Sequence, residues 1–198
     1  MLDNLQCPVC SAALHDTLRC PACATSFPKV DDLPVLIDFA DSIFTRADYA
    51  EQTGAVVART EKGGRIGRYL TNLTYGEEEV PARRAFIDRL HPGAKVLVVG
   101  GGSIGNGMDD LYSGRFDLIG TDVYPSPNIA LICDGHKLPF LSGTFDAVVI
   151  QAVLEHVVEP DRVTTEIHRV LKAGGLVFAE TPFMQQVHER AYDFPDSP

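Results

Sequence analysis

The sequence of 198 residues has no run of about 18 consecutive apolar residues, so we expect no segment of it to span a membrane. The N-terminus, Met1-Leu-Asp-Asn, lacks the basic stretch followed by an apolar one that marks a secretory signal, and this predicts a cytoplasmic protein. Internal repeats and low-complexity segments are also missing. With 45% hydrophobic and 22% charged residues, the composition indicates one medium globular domain plus a small module.

Positive charge is scarce at the start of the chain, whose net charge is −10 overall. In residues 1–40 the only basic residues are Arg19 and Lys29, against five aspartates. A module that binds nucleic acid normally carries a basic face. The charge therefore argues against RNA or DNA binding by this part of the chain.

Four cysteines lie in this segment, as Cys7-Pro-Val-Cys10 and Cys20-Pro-Ala-Cys23. Two Cys-x-x-Cys turns joined by a hairpin provide the four converging soft ligands that tetrahedral zinc needs. Two disulfides or two redox pairs are the alternatives, which a reducing cytoplasm disfavours. We predict that Cys7, Cys10, Cys20 and Cys23 bind one zinc ion and that folding of this module depends on it.

The pattern of residues divides the chain into three segments. Residues 1–40 form the zinc ribbon, which ends in two short strands around the Asp31-Asp32 turn. Residues 41–92 are predicted to be a helical connector and a candidate substrate lid, with an amphipathic helix that ends before His91-Pro-Gly. Residues 93–198 alternate apolar strands with helical stretches, which predicts a parallel sheet. Cys133 is expected to be a buried strand thiol.

A glycine-rich turn follows the first of these strands. Val96-Leu-Val-Val99 runs directly into Gly100-Gly-Gly-Ser-Ile-Gly105, a G-x-G-x-x-G pattern. Glycines at such a place let the backbone turn sharply and approach a ligand at a helix N-terminus. The second strand ends at Asp122, 22 positions after Gly100, where an acid binds the ribose hydroxyls of an adenosine ligand. The two features predict an adenosine-containing cofactor without saying which one.

The order of the later motifs is more specific. Asp134-Gly-His136 precedes a strand, which is followed by Gln151-Ala-Val-Leu-Glu-His156, a helix that reaches Arg169, and the strand Leu176-Val-Phe-Ala179. This order closely resembles the class I S-adenosylmethionine-dependent methyltransferases, which implies an α/β fold with a Rossmann-like doubly wound parallel sheet. The ribbon is similar to zinc ribbons of some bacterial methyltransferases and to small partners of RNA and protein methyltransferases. An NAD-dependent oxidoreductase is a weaker alternative that rests on the glycine pattern alone.

The resemblance implies a cofactor site residue by residue. The glycine turn makes room for the methionine part, Asp122 binds the ribose, Asp134 and Gly135 flank the adenine, and Gln151 lies near the methionine amino group and the transferable methyl group. The turn is formed by Gly100, Gly101 and Gly102, and Val123 and His136 are further cofactor-binding candidates. The sequence departs from the family at Val98, where an acid that contacts the amino group is usual, and at Ile104, where a third glycine is usual.

Methyl transfer needs mainly proximity and orientation, and with many acceptors also a base. Candidate catalytic residues are His156 and His188, each next to a glutamate, Glu155 and Glu189. As alternatives, Glu155 and His156 could cap or buttress the following helix, and His188 could be a solvated loop residue. Tyr192 and Phe194 are candidates for a lid, a substrate pocket or a cover for the sheet edge. The predicted activity is methyl transfer to a small molecule or a glycan.

The sequence ends after the fifth strand, before the antiparallel hairpin that closes the family's sheet. The fifth strand would then be an exposed edge, unless a partner chain covers it, or the chain is a shortened form. An exposed edge of this kind would permit a homodimer through the fifth strand. The alternative class of function is a non-catalytic cofactor-binding or scaffold protein that acts through its ribbon and open edge.

Overall fold

A computed structural model of the chain describes residues 4–15, 18–50, 79–102 and 108–181. Its N-terminal elements are strands β1 (Leu5–Gln6), β2 (Ala13–Leu14), β3 (Lys29–Val30) and β4 (Leu33–Pro34), then helices α1 (Arg46–Ala50) and α2 (Glu79–Asp88). The remaining elements are β5 (Lys95–Val99), a 3-10 helix (Asp109–Tyr112), β6 (Asp117–Asp122), β7 (Leu131–Ile132), β8 (Phe145–Gln151), α3 (Pro160–Val170) and β9 (Leu171–Glu180). None of the described helices is long and apolar enough to cross a lipid bilayer.

Strands β5 to β9 form one parallel sheet in the order β7-β6-β5-β8-β9. The central strand β5 is buried on both faces because a helix covers each. Val98 packs in the cluster that contains Phe86 of α2, and Val99 packs in the cluster that contains Val163 of α3. Such continuous apolar strands are typical of a doubly wound sheet. The predicted Rossmann-like α/β fold is confirmed.

The register brings the carboxyl ends of the strands to one edge. Val99 pairs with Thr121 of β6 on one side and with Ile150 of β8 on the other. Gln151 then pairs with Glu180 at the end of β9. Gly100 therefore follows β5 in the middle of this edge, where ligands bind in doubly wound sheets.

Two of the described helices correspond to helices that the sequence predicts. In α2 and the turn after it, Phe86, Ile87 and Leu90 are all buried, as the amphipathic pattern predicts. The helix predicted to follow the segment from Gln151 to His156 begins at Pro160. Proline is favoured in the first turn of a helix because its fixed φ suits that turn and its missing N–H would have no partner there. The stretch between β8 and α3 is a turn.

The ribbon packs directly on the larger sheet. Leu5, Leu14 and Phe27 share one apolar cluster with Phe140 and Phe145. Two backbone hydrogen bonds join the parts: the Gln6 N–H donates to the Pro139 carbonyl at 3.1 Å, and the Leu141 N–H donates to the Asn4 carbonyl at 2.8 Å. The boundary at residue 40 therefore divides the chain in sequence, but the two parts have a common core.

One edge of the sheet is covered by another segment of the chain, and the other edge is unpaired in the described residues. Beyond β7, Val35 forms a parallel bridge with Ile132, and the Leu36 N–H donates to the Ile132 carbonyl at 2.8 Å, so the last residues of the ribbon cover this edge. Beyond β9, no strand pairs with the sheet in the described ranges, and the side chain of Val177 is 48% exposed. Cys133, directly after β7, is buried as predicted, and burial raises the pKa of its thiol.

Candidate functional site

The four ribbon cysteines converge on one point. Their sulfur atoms all lie within 4.8 Å of one another, with 3.7 Å between Cys7 and Cys23 and 3.5 Å between Cys10 and Cys20. A tetrahedron with Zn–S bonds of about 2.3 Å places its sulfurs about 3.8 Å apart. A disulfide would hold them at about 2.05 Å. The geometry therefore fits a zinc ion, and the four thiols are free of disulfides.

The two Cys-x-x-Cys turns are built alike, although the sequence shows no longer repeat. In each turn, the carbonyl of the first cysteine accepts a hydrogen bond from the N–H of the residue four positions later. The N–H of the same cysteine donates to the carbonyl of the residue five positions later. The residue after each pair, Ser11 or Ala24, has a φ of 61° or 60°. The backbone N–H groups of Val9 and Cys10 also bond to the Cys7 sulfur, where they favour a thiolate.

The ionisation of these thiols depends on their surroundings. Burial raises the pKa of Cys7 to about 12, whereas hydrogen bonding with Thr25 lowers the pKa of Cys23 to about 6. A buried thiol such as Cys7 stays protonated at neutral pH until a cation replaces its proton. Zinc would do so, and four cysteines would leave it no open position, as in structural sites.

The glycine turn lies against β6 and the loop after β8. The Gly101 N–H donates to the Thr121 carbonyl at 2.8 Å. Gly100 has a φ of +74°, and a Cβ at this position would lie 2.2 Å from Cγ2 of Val153. A Cβ at Gly102 would lie 2.6 Å from Oδ2 of Asp122. The positive φ and the contact with Val153 therefore require glycine at position 100, whereas a side chain at position 102 would displace the Asp122 carboxylate. The helix start predicted after the turn lies outside the described residues.

Asp122 is held at the end of β6 by three backbone donors. Its Oδ2 accepts the Gly102 N–H at 2.9 Å, and its Oδ1 accepts those of Val123 at 2.7 Å and Tyr124 at 3.2 Å. The residue is half-buried. A carboxylate has about four lone-pair sites, so acceptor capacity remains for a ribose hydroxyl. This geometry fits the role that the resemblance implies.

Asp134 is placed differently. It is only 4% exposed, its Oδ1 accepts both the backbone N–H and the ring N–H (Nδ1) of His136 at 2.9 and 2.6 Å, and its Oδ2 accepts the Ser42 hydroxyl at 2.5 Å. Nε2 of the buried His136 accepts the Glu159 N–H at 3.1 Å, which fits a neutral ring. Three donors leave this carboxylate one acceptor site, as they do at Asp122, but here the residue is almost fully buried. The adenine role of Asp134, Gly135 and His136 stays a prediction.

Gln151 is the last residue of β8, and two residues that sequence reasoning missed accompany it. Its Nε2 donates to Oε2 of Glu180 at 3.1 Å. Nη2 of Arg83 lies 2.6 Å from Oε1 and 2.8 Å from Oε2 of the same carboxylate. Arg83 is only 4% exposed. The sequence offered one signal for this burial: Arg83 lies three residues before Phe86 and so falls on the apolar face of α2.

The candidate bases are described only in part. Glu155 and His156 lie in the turn between β8 and α3, and the His156 N–H donates to the Val153 carbonyl at 2.9 Å. The N-cap position of α3 is Glu159, so neither residue caps the helix. Both carboxylate oxygens of Glu155 are buried without a hydrogen-bond partner in the described part of the chain. His188, Glu189, Tyr192 and Phe194 lie outside the described residues.

Comparisons with known proteins place this site in a family context. Residues 100–179 match the family described as a methyltransferase domain. A ubiquinone/menaquinone biosynthesis C-methyltransferase of Desulfotalea psychrophila is 35% identical over 138 residues, which are 70% of this chain and 50% of that protein. A demethylmenaquinone methyltransferase of Beutenbergia cavernae is 34% identical over 111 residues, 50% of this chain and 46% of that protein.

The chain thus spans about half the length of these relatives. Among solved structures, phosphoethanolamine N-methyltransferase 2 of Haemonchus contortus in complex with S-adenosyl-L-methionine overlaps with a TM-score of 0.42 at 22% identity, over 52% of this chain and 28% of that one.

Proposed function

Because residues 100–179 are a methyltransferase domain, we propose that the chain binds S-adenosylmethionine and transfers its methyl group to a small molecule. The observation that carries the proposal is the glycine turn at the carboxyl edge of the sheet, joined to Asp122 by the Gly102 N–H. The NAD alternative rested on the glycine pattern alone, and the methyltransferase match accounts for that pattern.

The residues of the chain bind and orient, which is most of what methyl transfer requires. When bound, the cofactor supplies an electrophilic methyl group on a sulfonium. Gly100 and Gly102 leave room for its methionine part, Asp122 accepts its ribose hydroxyls, and Gln151 lies near its amino group. His156 is the candidate base among the described residues for acceptors that must lose a proton.

The segment after the ribbon borders the proposed cofactor site. The Tyr49 hydroxyl donates to the Val123 carbonyl at 3.1 Å, next to Asp122. Ser42 reaches Asp134 in the same segment. The ribbon, which shares a core with the sheet, is proposed to hold this segment in place and so to shape the substrate side, with one structural zinc ion bound by its cysteines. The cytoplasmic location stays a prediction.

For the acceptor we propose a small molecule, with a quinone-type ring to be tried first and a glycan second. Two relatives are named for quinone biosynthesis, which supports that order.

Transfer of tritium from methyl-labelled S-adenosylmethionine is measured with one set of hydroxynaphthoquinones and one set of glycans as acceptors. We expect label in one set, and a rate lowered about 100-fold in His156→Ala, the usual effect of losing a base. His168→Ala, an exposed histidine of α3, is the control. Label in neither set contradicts the acceptor proposal, and an unchanged rate in His156→Ala removes that base.

We also propose that the β9 edge forms a homodimer. Strand β9 is ten residues long, and Val177 is exposed on it, so a second copy could pair along this edge. Val177→Lys is expected to give a monomer by light scattering, where the parent gives a dimer. Val158→Lys changes a valine of equal exposure, 48%, outside the sheet and should leave the dimer intact. A monomeric parent would contradict the proposal. A dimer that binds cofactor but transfers no methyl group would favour the scaffold function.

A further inference from the structure

Three side chains form a linked polar group at the carboxyl ends of β8 and β9. Alternation along β8 puts Gln151 on the same face as Ala147 and Val149, which pack with α2. Alternation along β9 puts Glu180 on the face of Phe178, whose ring lies 5.5 Å from that of Phe86 in α2. Arg83 of α2 bonds to Glu180 there. The group therefore fills the space between the sheet edge and α2.

The ion pair fixes which end of the Gln151 amide faces Glu180. The Glu180 carboxylate accepts from Arg83 through Nε at 3.2 Å and through Nη2, and from Gln151 through Nε2 at 3.1 Å. An ionised carboxylate can only accept, so Gln151 must turn its NH2 group toward it. The amide oxygen is left over, and no described residue donates a hydrogen bond to it.

Ile150 pairs with Val99 in the sheet. Gln151 follows Ile150 as the glycine turn follows Val99, so the amide of Gln151 lies beside the glycine turn. The methionine amino group of the cofactor is positively charged and needs an acceptor. Val98, on the same face, supplies none. A reversed amide would present donors to this cation.

We propose that Glu180, held by Arg83, is a positioning residue that aims the Gln151 oxygen at the amino group of the S-adenosyl ligand. This inference rests on the proposed function. It assigns to the Arg83–Glu180 pair a role in ligand recognition besides joining α2 to β9. It also accounts for a buried arginine at the edge of the sheet.

A double-mutant cycle tests the proposal by calorimetry with S-adenosylhomocysteine. Gln151→Leu and Glu180→Gln are each expected to raise Kd roughly tenfold, the effect of losing one hydrogen bond to a charged group. The double variant should bind no more weakly than Gln151→Leu alone, because Glu180 acts through Gln151. 5′-Methylthioadenosine, which lacks the amino group, should bind the parent and Glu180→Gln equally. Lys172→Met removes an ion pair with Asp146 at the other end of β9 and is the control.

Additive losses in the double variant, or equal weakening for 5′-methylthioadenosine, would overturn the positioning role. If Glu180→Gln does not fold, Arg83→Met combined with Glu180→Leu removes both charges together and replaces it in the same cycle. A parent that binds neither adenosine ligand would refute the proposed function itself. A parent that binds both but shows additive losses refutes only this inference.

Discussion

Replacing Cys20 by serine is expected to abolish zinc binding and to unfold the ribbon. Structural zinc supplies about 10–16 kcal/mol in zinc-finger peptides, as much as the whole stability of a typical domain of about 5–15 kcal/mol. Leu5 and Phe27 of the ribbon pack with Phe140 of the larger part. The thermal midpoint of the remaining domain should therefore also fall, although strands β5–β9 keep most of their secondary structure.

Elemental analysis and circular dichroism check this result. The parent should contain one zinc ion per chain, and Cys20→Ser none. Cys133→Ala removes the buried cysteine outside the ribbon and should keep the full zinc content, which separates loss of a ligand from loss of any buried thiol. Zinc retained in Cys20→Ser, or a disulfide among the four ribbon cysteines of the parent, would show that the site is not a zinc site.

Asp122→Ala is expected to weaken binding of S-adenosylhomocysteine by about 1.5–3 kcal/mol, the range for hydrogen bonds to a charged group. The loss has two sources, since Asp122 would accept ribose hydroxyls and also holds the glycine turn through the Gly102 N–H. Asp117→Ala, at the opposite end of the same strand and exposed, should leave the affinity unchanged. Calorimetry on the three proteins measures both effects. Equal affinity of Asp122→Ala and the parent would show that the ribose assignment is wrong.

The features that sequence reasoning found are local ones. Two Cys-x-x-Cys turns fix the direction of their own sulfurs, and a glycine turn between a buried strand and the next acid fixes its own geometry. The doubly wound parallel sheet was predicted from the alternation of strands and helices and from the family resemblance. The turns need only neighbours in sequence, which is why the four sulfurs converge and Asp122 ends β6 as the sequence predicts.

The features that it missed join distant residues. Ser42 bonds to Asp134 across 92 positions, and Arg83 bonds to Glu180 across 97. No local pattern specifies such partners, because they depend on how α2 and the segment after the ribbon pack on the sheet. Docking of the ribbon depends on the same packing.

Strand β9 begins earlier than predicted. Leu171 pairs with Phe145 and Leu176 with Ala147, so the strand carries extra residues in an irregular register. Gly174 has a φ of +78° within this stretch. Lys-Ala-Gly-Gly is a turn pattern, and sequence reasoning began the strand only after it. Long-range pairing with β8 extended the strand through a segment whose own preference is a turn.

Calorimetric titration of the whole chain with S-adenosylhomocysteine and, separately, with NAD tests the central claim most directly. We predict that one molecule of S-adenosylhomocysteine binds per chain and that NAD gives no heat of binding. Binding of NAD, or of neither ligand, would contradict the account of this sheet edge as an S-adenosylmethionine site.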